Sequence, residues 1–250
     1  MKYVNWRRHI KGPARDEFTA DVTMILATIA GYSGGGSRIK SLAKELKLEI
    51  DVPGSRKVAP IFGVGRFSKR YEEALAGRIA EGIRLVRERG GQAPKVVLVG
   101  KSMGGRVLHK VSQLLHKRNI PVDLFIGVDT SRGLSFHYHD YVESNGNTKY
   151  AMVFDANIRR LVNLYENRRK DGQNGHVFLW RNTRNQFPAT PFFDPTLNIN
   201  VARDPFNKET LSVDDAGEII TMKNPTHTTI GEDTNVVDIV KRYVWRTVIA

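Results

Sequence analysis

The sequence predicts an α/β fold: a mostly parallel central sheet with helices on both faces. Two observations carry this. First, residues 22–29 (VTMILATI), 95–99 (KVVLV) and 122–128 (VDLFIGV) are short apolar runs without polar alternation, the pattern of strands buried on both faces. Second, longer amphipathic stretches stand between these runs with short connections, so strand, helix and strand recur as βαβ units.

The elements follow in order. Residues 37–47 read as a helix with Ile39, Leu42, Ala43 and Leu46 on one face. A short strand is expected at 48–52, stopped by Pro53-Gly54. Residues 67–89 are charged and Ala-rich, as in a surface helix, and Gly90-Gly91 ends it. The 103–117 helix carries an apolar stripe of Val107, Leu108, Val111, Leu114 and Leu115. Helical patterns also cover 156–169 and 235–248, and 176–180 reads as a strand. Residues 182–205, rich in Pro, Asn and Thr, are expected as a long loop near the active site. Residues 1–21 form an N-terminal extension. No repeat, low-complexity tract or linker divides the chain, so residues 1–250 are expected as one domain.

Composition narrows the classes. A chain of 250 residues with 40% hydrophobic and 9% aromatic content can bury a sizeable core. No apolar run approaches the ~20 residues that span a bilayer. Residues 1–15 are basic but lack the apolar stretch of a secretory signal, so a cytoplasmic location is the default expectation. The absence of cysteine excludes disulfides, thiolate metal sites and a Cys nucleophile. Lys plus Arg number 39 against 26 Asp plus Glu, a net charge of +13. Such a surface is weakly attracted to anionic surfaces. The basic residues form no compact tract and no nucleic-acid motif, and a solvated basic surface is the plainer reading.

The chemistry centres on Gly100-Lys101-Ser102-Met103-Gly104, directly between the strand KVVLV and a helix. This is G-x-S-x-G in the strand–turn–helix setting of a nucleophilic serine. The turn must be tight enough to lift the hydroxyl above the sheet edge, and side chains two residues either side would collide with strand and helix. The helix N-terminus places the Met103 N–H where it can bind an oxyanion. A phosphate-binding G-x-x-x-x-G-K-S would need glycine at position 95, where this chain has Lys95. A second oxyanion donor is expected from the glycine-rich turn after VTMILATI, at Tyr32 or Ser33.

A serine nucleophile needs a base held by a carboxylate. Of the seven histidines, His227 alone lies in a loop just before the closing helix. His109 and His116 lie on the helix after the serine, and His137 and His139 form an H-x-H with no evident third metal ligand. In chains of this order the acid stands between serine and histidine. Asp129 ends the strand after the serine's helix. Asp194 and Asp155 are its rivals, and a plain strand cap is the structural reading of Asp129.

Taken together, GKSMGG, GVDTS, Asn163-Leu164-Tyr165, HVFLW and PTHTTIGEDTNVVDIV resemble small bacterial and phage lipase/esterase-like α/β-hydrolases. The resemblance covers roughly residues 22–248. In lipases of the pancreatic type the acid also follows the strand after the nucleophile helix, in a Gly-x-Asp context that Gly127-Val128-Asp129 matches. His227-Thr228-Thr229-Ile230 matches the His-Thr-x-Ile stretch of related bacterial proteins. The usual Pro after the acid is Thr130 here, and the oxyanion loop lacks a His-Gly start. The resemblance implies an α/β-hydrolase fold and hydrolysis of a small-molecule or lipid carboxylic ester, with Ser102, Asp129 and His227 as triad and no metal or organic cofactor. The alternative is a catalytically silent protein of the same fold that binds a polyanionic surface or partner.

Overall fold

The computed structural model describes residues 10–31, 37–52, 55–65, 68–130, 139–142, 148–165, 177–181, 196–200, 210–213, 219–222 and 230–249. Among the described residues, twelve strands and four α-helices follow in chain order: β1 (Ile10–Lys11), β2 (Val22–Ala30), α1 (Ser37–Ile50), β3 (Lys57–Val64), α2 (Lys69–Glu88), β4 (Lys95–Lys101), α3 (Met103–His116), β5 (Leu124–Val128), β6 (His139–Val142), β7 (Thr148–Phe154), β8 (Leu161–Tyr165), β9 (Val177–Arg181), β10 (Thr196–Asn200), β11 (Thr210–Val213), β12 (Ile219–Met222) and α4 (Thr234–Ile249).

The central sheet has the order β1-β3-β2-β4-β5-β8-β10. Only β1 is antiparallel; the other six strands run parallel. The chain leaves β2 for β3 on one side, then crosses back to β4 on the other side and continues outward to β5. Because parallel crossovers are right-handed, reversing their direction moves the connecting helix to the opposite face. The burial pattern follows. Ile39, Leu42, Ala43, Leu46 and Ile50 of α1 pack with Val236, Val237 and Val240 of α4 against Met24, Leu26, Val97, Val99 and Ile126. Leu75 and Ile79 of α2 and Val107, Leu108 and Val111 of α3 pack against Ile25, Ala27, Leu98 and Phe125. Successive residues of β2 and β4 thus feed two cores, and the sheet is covered on both faces. This is the mostly parallel, doubly covered sheet that the sequence predicts, with the strand order reversing between β2 and β4.

Several expectations need correction. The strand expected at 48–52 does not form, because α1 runs on to Ile50, whose side chain continues the buried stripe of Leu42 and Leu46 while Leu48 is 83% exposed. Strand β3 lies instead at Lys57–Val64, a segment not expected as a strand. Within the helix expected over 156–169, Leu161–Tyr165 instead form β8, which pairs with β5 and β10, and residues 166–169 lie outside the described residues. The loop expected at 182–205 contains β10, which forms the far edge of the sheet. Strand β9 exists but belongs to a separate sheet of order β6-β7-β9. Within the N-terminal extension, Ile10 and Lys11 pair with Gly63 and Phe62 of β3. Among the described residues no helix is long and apolar enough to cross a membrane.

Candidate active site

In open α/β sheets the crevice outside the carboxyl ends of the strands, where strand order reverses, is the place for a ligand. Ser102 stands there. It is the single residue between β4 and α3, and its backbone is at φ 51°, ψ −121°. L-residues rarely adopt a positive φ, and holding one there costs about 1–3 kcal/mol. Ser102 occupies the N-cap position of α3, yet its side chain makes no cap hydrogen bond. A capping serine has extended backbone and gives its oxygen to the N–H groups of the first helical turn. A capping role therefore does not account for this serine.

The surroundings enforce the turn. The Ser102 N–H donates to the Val128 carbonyl at 2.9 Å, and the Gly105 N–H donates to the Ser102 carbonyl at 3.1 Å. Strand and helix press together so closely that a Cβ at Gly100 would lie 2.5 Å from the Cα of Gly105. At Gly104 a Cβ would lie 2.0 Å from the carbonyl oxygen of Ile29, so α3 also sits against the end of β2. Gly65, which sequence reasoning did not single out, closes the other side: its N–H donates to the Ala30 carbonyl at 2.8 Å, and its own Cβ would meet the Gly104 nitrogen at 2.9 Å. Met103 opens α3 and is half-buried. The first N–H groups of a helix lack intrahelical partners and carry its positive dipole end.

Asp129 follows β5 as Ser102 follows β4, and the two preceding residues, Val128 and Lys101, are register partners. The two chain ends are thus on adjacent strands, whose spacing is about 4.8 Å. Asp129 is 6% exposed and also has a positive φ, 45°. Its N–H donates to the Leu164 carbonyl at 2.6 Å, which fixes it to β8. Among the described non-glycine residues only Ser102, Asn119 and Asp129 have positive φ, so two of the three stand at neighbouring strand ends.

Asp155 is at the other edge. It accepts from the Ile158 N–H at 3.3 Å, and Ile158 bridges Val122, just before β5 begins. That is the amino edge of the strands, opposite Ser102. His109 is 6% exposed with its ring edge-to-face against Phe154, 4.6 Å between centroids. His227, Tyr32, Ser33, Asp194 and His137 lie outside the described residues. The chain is described again from Ile230, which is fully buried in the core beneath α4, and the Asp233 carboxylate caps that helix by accepting from the Asn235 and Val236 N–H groups at 2.9 and 3.1 Å.

Lys101 is the residue that sequence reasoning passed over. It is 2% exposed at the end of β4. Burial pushes its ammonium below the ordinary lysine value, and the carboxylates of Asp129 and Glu232 pull it back up. Its only sequence signal was a lysine at the end of an otherwise apolar strand.

No family model matches the chain, and no curated protein matches it. Solved structures to which the chain is similar include a thioesterase, RedJ, from the prodiginine biosynthetic pathway of Streptomyces coelicolor, 18% identical over 54% of this chain and 48% of that one, with a TM-score of 0.32. The match therefore spans about half of the RedJ chain. Human thioesterase 2 is 10% identical over 90% of this chain and 96% of that one, TM-score 0.40. XC6422 from Xanthomonas campestris, an α/β serine hydrolase without a lid, is 13% identical over 69% and 75%, TM-score 0.34. At these identities and scores the likenesses carry no argument about activity. What the chain offers chemically rests on its own geometry: a strained serine at the sheet's reversal point, helix N–H groups beneath it, and a buried carboxylate on the next strand.

Proposed function

We propose that this protein is a serine hydrolase that cleaves carboxylic esters through an acyl-enzyme on Ser102. His227 is the base and Asp129 the carboxylate that orients it. The observation that carries this reading is the Ser102 backbone, held at φ 51° without a cap hydrogen bond. A strained residue persists where its surroundings over-determine it, and such residues cluster at active sites.

In the proposed reaction His227 takes the Ser102 proton as the oxygen attacks the ester carbonyl. The oxyanion that forms is bound by the Met103 N–H and by a second N–H from Tyr32 or Ser33. Collapse breaks the carbon–oxygen bond of the leaving alkoxide, which takes the proton from His227. Water, deprotonated by the same histidine, then attacks the acyl-enzyme and releases the acid. A thioester passes through the same steps with a thiolate as leaving group, so oxygen and sulfur substrates are both within reach of this arrangement.

The test is a panel of short- and long-chain acyl esters and acyl thioesters, assayed with the wild-type chain and with Ser102→Ala. Removing the nucleophile of such a unit costs on the order of 10⁶ in turnover. Loss of that order on at least one class supports the proposal. A variant that keeps a tenth of the wild-type turnover contradicts it, and no turnover of any member by the wild type favours the catalytically silent alternative.

A further inference from the structure

We infer that the cavity between α2 and the segment joining β1 to β2 binds a small organic anion, a carboxylate carrying an apolar chain, with Arg78 as its counter-charge. Ser102, Met103 and Asp129 do not line this cavity, so the inference stands apart from the hydrolase reading.

Residues 10–18 cross α2 and are fastened at both ends. Ile10 and Lys11 pair with β3. Phe18 is buried against Gly82, where a Cβ would fall 2.4 Å from its ring, and its carbonyl accepts from Arg89 Nη1 at 2.6 Å. Between these anchors lies a cavity of about 630 Å³. Sites for small molecules occupy roughly 300–1,000 Å³ and are mostly apolar with a few placed polar groups. The walls here are Ile10, Pro13, Phe18, Ala74, Gly77 and Leu85. The Gly77 side is open, since a Cβ there meets nothing closer than Arg118 Nη1 at 3.9 Å. The charged residues of the lining are Arg15, Glu73, Arg78 and Glu81. Glu81 is already held by two cations, Arg15 Nη2 at 2.6 Å and Arg84 Nε at 2.8 Å. Glu73 is exposed and lies 3.9 Å from the Lys69 ammonium. Arg78 is left over. Among the described residues it has no ion-pair partner: its Nη2 donates to the Pro13 carbonyl at 2.6 Å, and its Nε is buried without an acceptor. Burial pushes its guanidinium below the ordinary arginine value, opposed by the exposed Glu17. A guanidinium keeps its charge in proteins, and a desolvated charge is costly until it is paired. An anion in the cavity supplies that pairing, and a carboxylate matches the planar fork of arginine. The apolar walls take the chain behind it.

The experiment is calorimetric titration of the full chain at neutral pH with octanoate, octan-1-ol, octylammonium and acetate, repeated on Arg78→Met and Gly77→Leu, each checked for native circular dichroism. Octanoate should bind saturably. Octanol and octylammonium lack the anion and acetate lacks the chain, so each should bind at least about tenfold more weakly. Arg78→Met should weaken octanoate binding about 10- to 100-fold. Gly77→Leu, which fills the cavity from its open side, should weaken it by at least about tenfold. The inference is overturned by the absence of saturable octanoate binding up to about 10 mM, or by octanol or octylammonium binding as tightly as octanoate. Octanoate binding unchanged in either variant overturns it too, since the acid is then held elsewhere or without Arg78, as in the crevice at Ser102. Should Arg78→Met fail to fold, Gly77→Leu and the comparison of octanoate with octylammonium decide the matter.

Discussion

The Ser102 N–H reaches across the sheet to the Val128 carbonyl, 2.9 Å away, so the turn that bears the serine is bonded to the residue that precedes Asp129. One hydrogen bond fixes the separation of the two strand ends. With the Gly105 N–H on the Ser102 carbonyl, it also holds the serine in a backbone conformation that an L-residue resists.

That strain is measurable. Ser102→Gly should relieve it, since glycine takes positive φ at no steric cost. The variant should be inactive yet melt higher than Ser102→Ala, by about 2–4 °C for roughly 1 kcal/mol in a chain of this size. Equal melting temperatures for the two variants would show that the turn stores no strain.

The glycines of the turn separate by position. Gly104→Ala would drive a Cβ to within 2.0 Å of the Ile29 carbonyl oxygen, and neither backbone can move without opening the sheet. Its cost should exceed about 3 kcal/mol, the range reserved for severe overpacking. In α2, Gly77→Ala meets nothing closer than Arg118 Nη1 at 3.9 Å and should stabilise by up to about 1 kcal/mol through helix propensity. Chemical denaturation of both variants checks the pair; similar effects at the two sites would contradict the close packing of α3 on β2.

The identity of the acid is tested by Asp129→Asn beside Asp194→Asn. Amidation keeps the shape of the triad acid but leaves the imidazole in the wrong tautomer, a change that has cost about 10⁴ in turnover in a Ser–His–Asp enzyme. Asp129→Asn should approach that loss, and Asp194→Asn should cost about tenfold or less. Because β8 lies next to β5 in the sheet, Glu166, which follows Tyr165 directly in sequence, is a third carboxylate to amidate. A large loss at Asp194 or Glu166 and a small one at Asp129 would make Asp129 a strand cap.

Glu72 of α2 gives a pH test of the packing between α2 and α3. Burial holds its carboxyl above the ordinary 4.5, against the pull of Lys110 and Arg106. A carboxyl whose folded pKa is raised binds its proton more tightly when folded, so ionising it costs stability. That cost is absent well below the unfolded pKa, grows as pH rises through the ordinary value towards the raised one, and stays constant above. Glu72→Gln should therefore raise the melting temperature at pH 7, by about 1–3 °C, and the gain should vanish near pH 3. A gain equal at both pH values, or a loss at pH 7, would contradict the buried position.

The elements nearest Ser102 were the most legible in the sequence. β2, β4 and β5 are buried on both faces and read as continuous apolar runs, and α1 and α3 bury the stripes their spacing predicts. β3 was hidden by Pro60 and Gly63, residues that normally argue against a strand. Pro60 is tolerated because β1 pairs only with Phe62 and Gly63, so no ladder bond is asked of the proline on that side. β8 was mistaken for helix because Leu161, Val162, Leu164 and Tyr165 satisfy a helical period as well as a buried strand does. β10 alternates Leu197 and Ile199 with Asn198 and Asn200, but the pattern is short and sits in a segment rich in turn residues. At the site, Ser102 and Asp129 were legible because each directly ends an apolar run before a break. The burial of Lys101 was not, because a lysine that ends a strand reads as solvated.

An activated nucleophile at Ser102 would react with an electrophilic phosphonate. The most direct measurement is intact-mass and peptide-level analysis of the purified chain after exposure to a fluorophosphonate, alongside Ser102→Ala. The expected result is one covalent phosphonyl group per chain, located on Ser102, in the wild type and none in the variant. A wild-type chain that remains unlabelled, or one labelled at another serine with Ser102 unmodified, would contradict it.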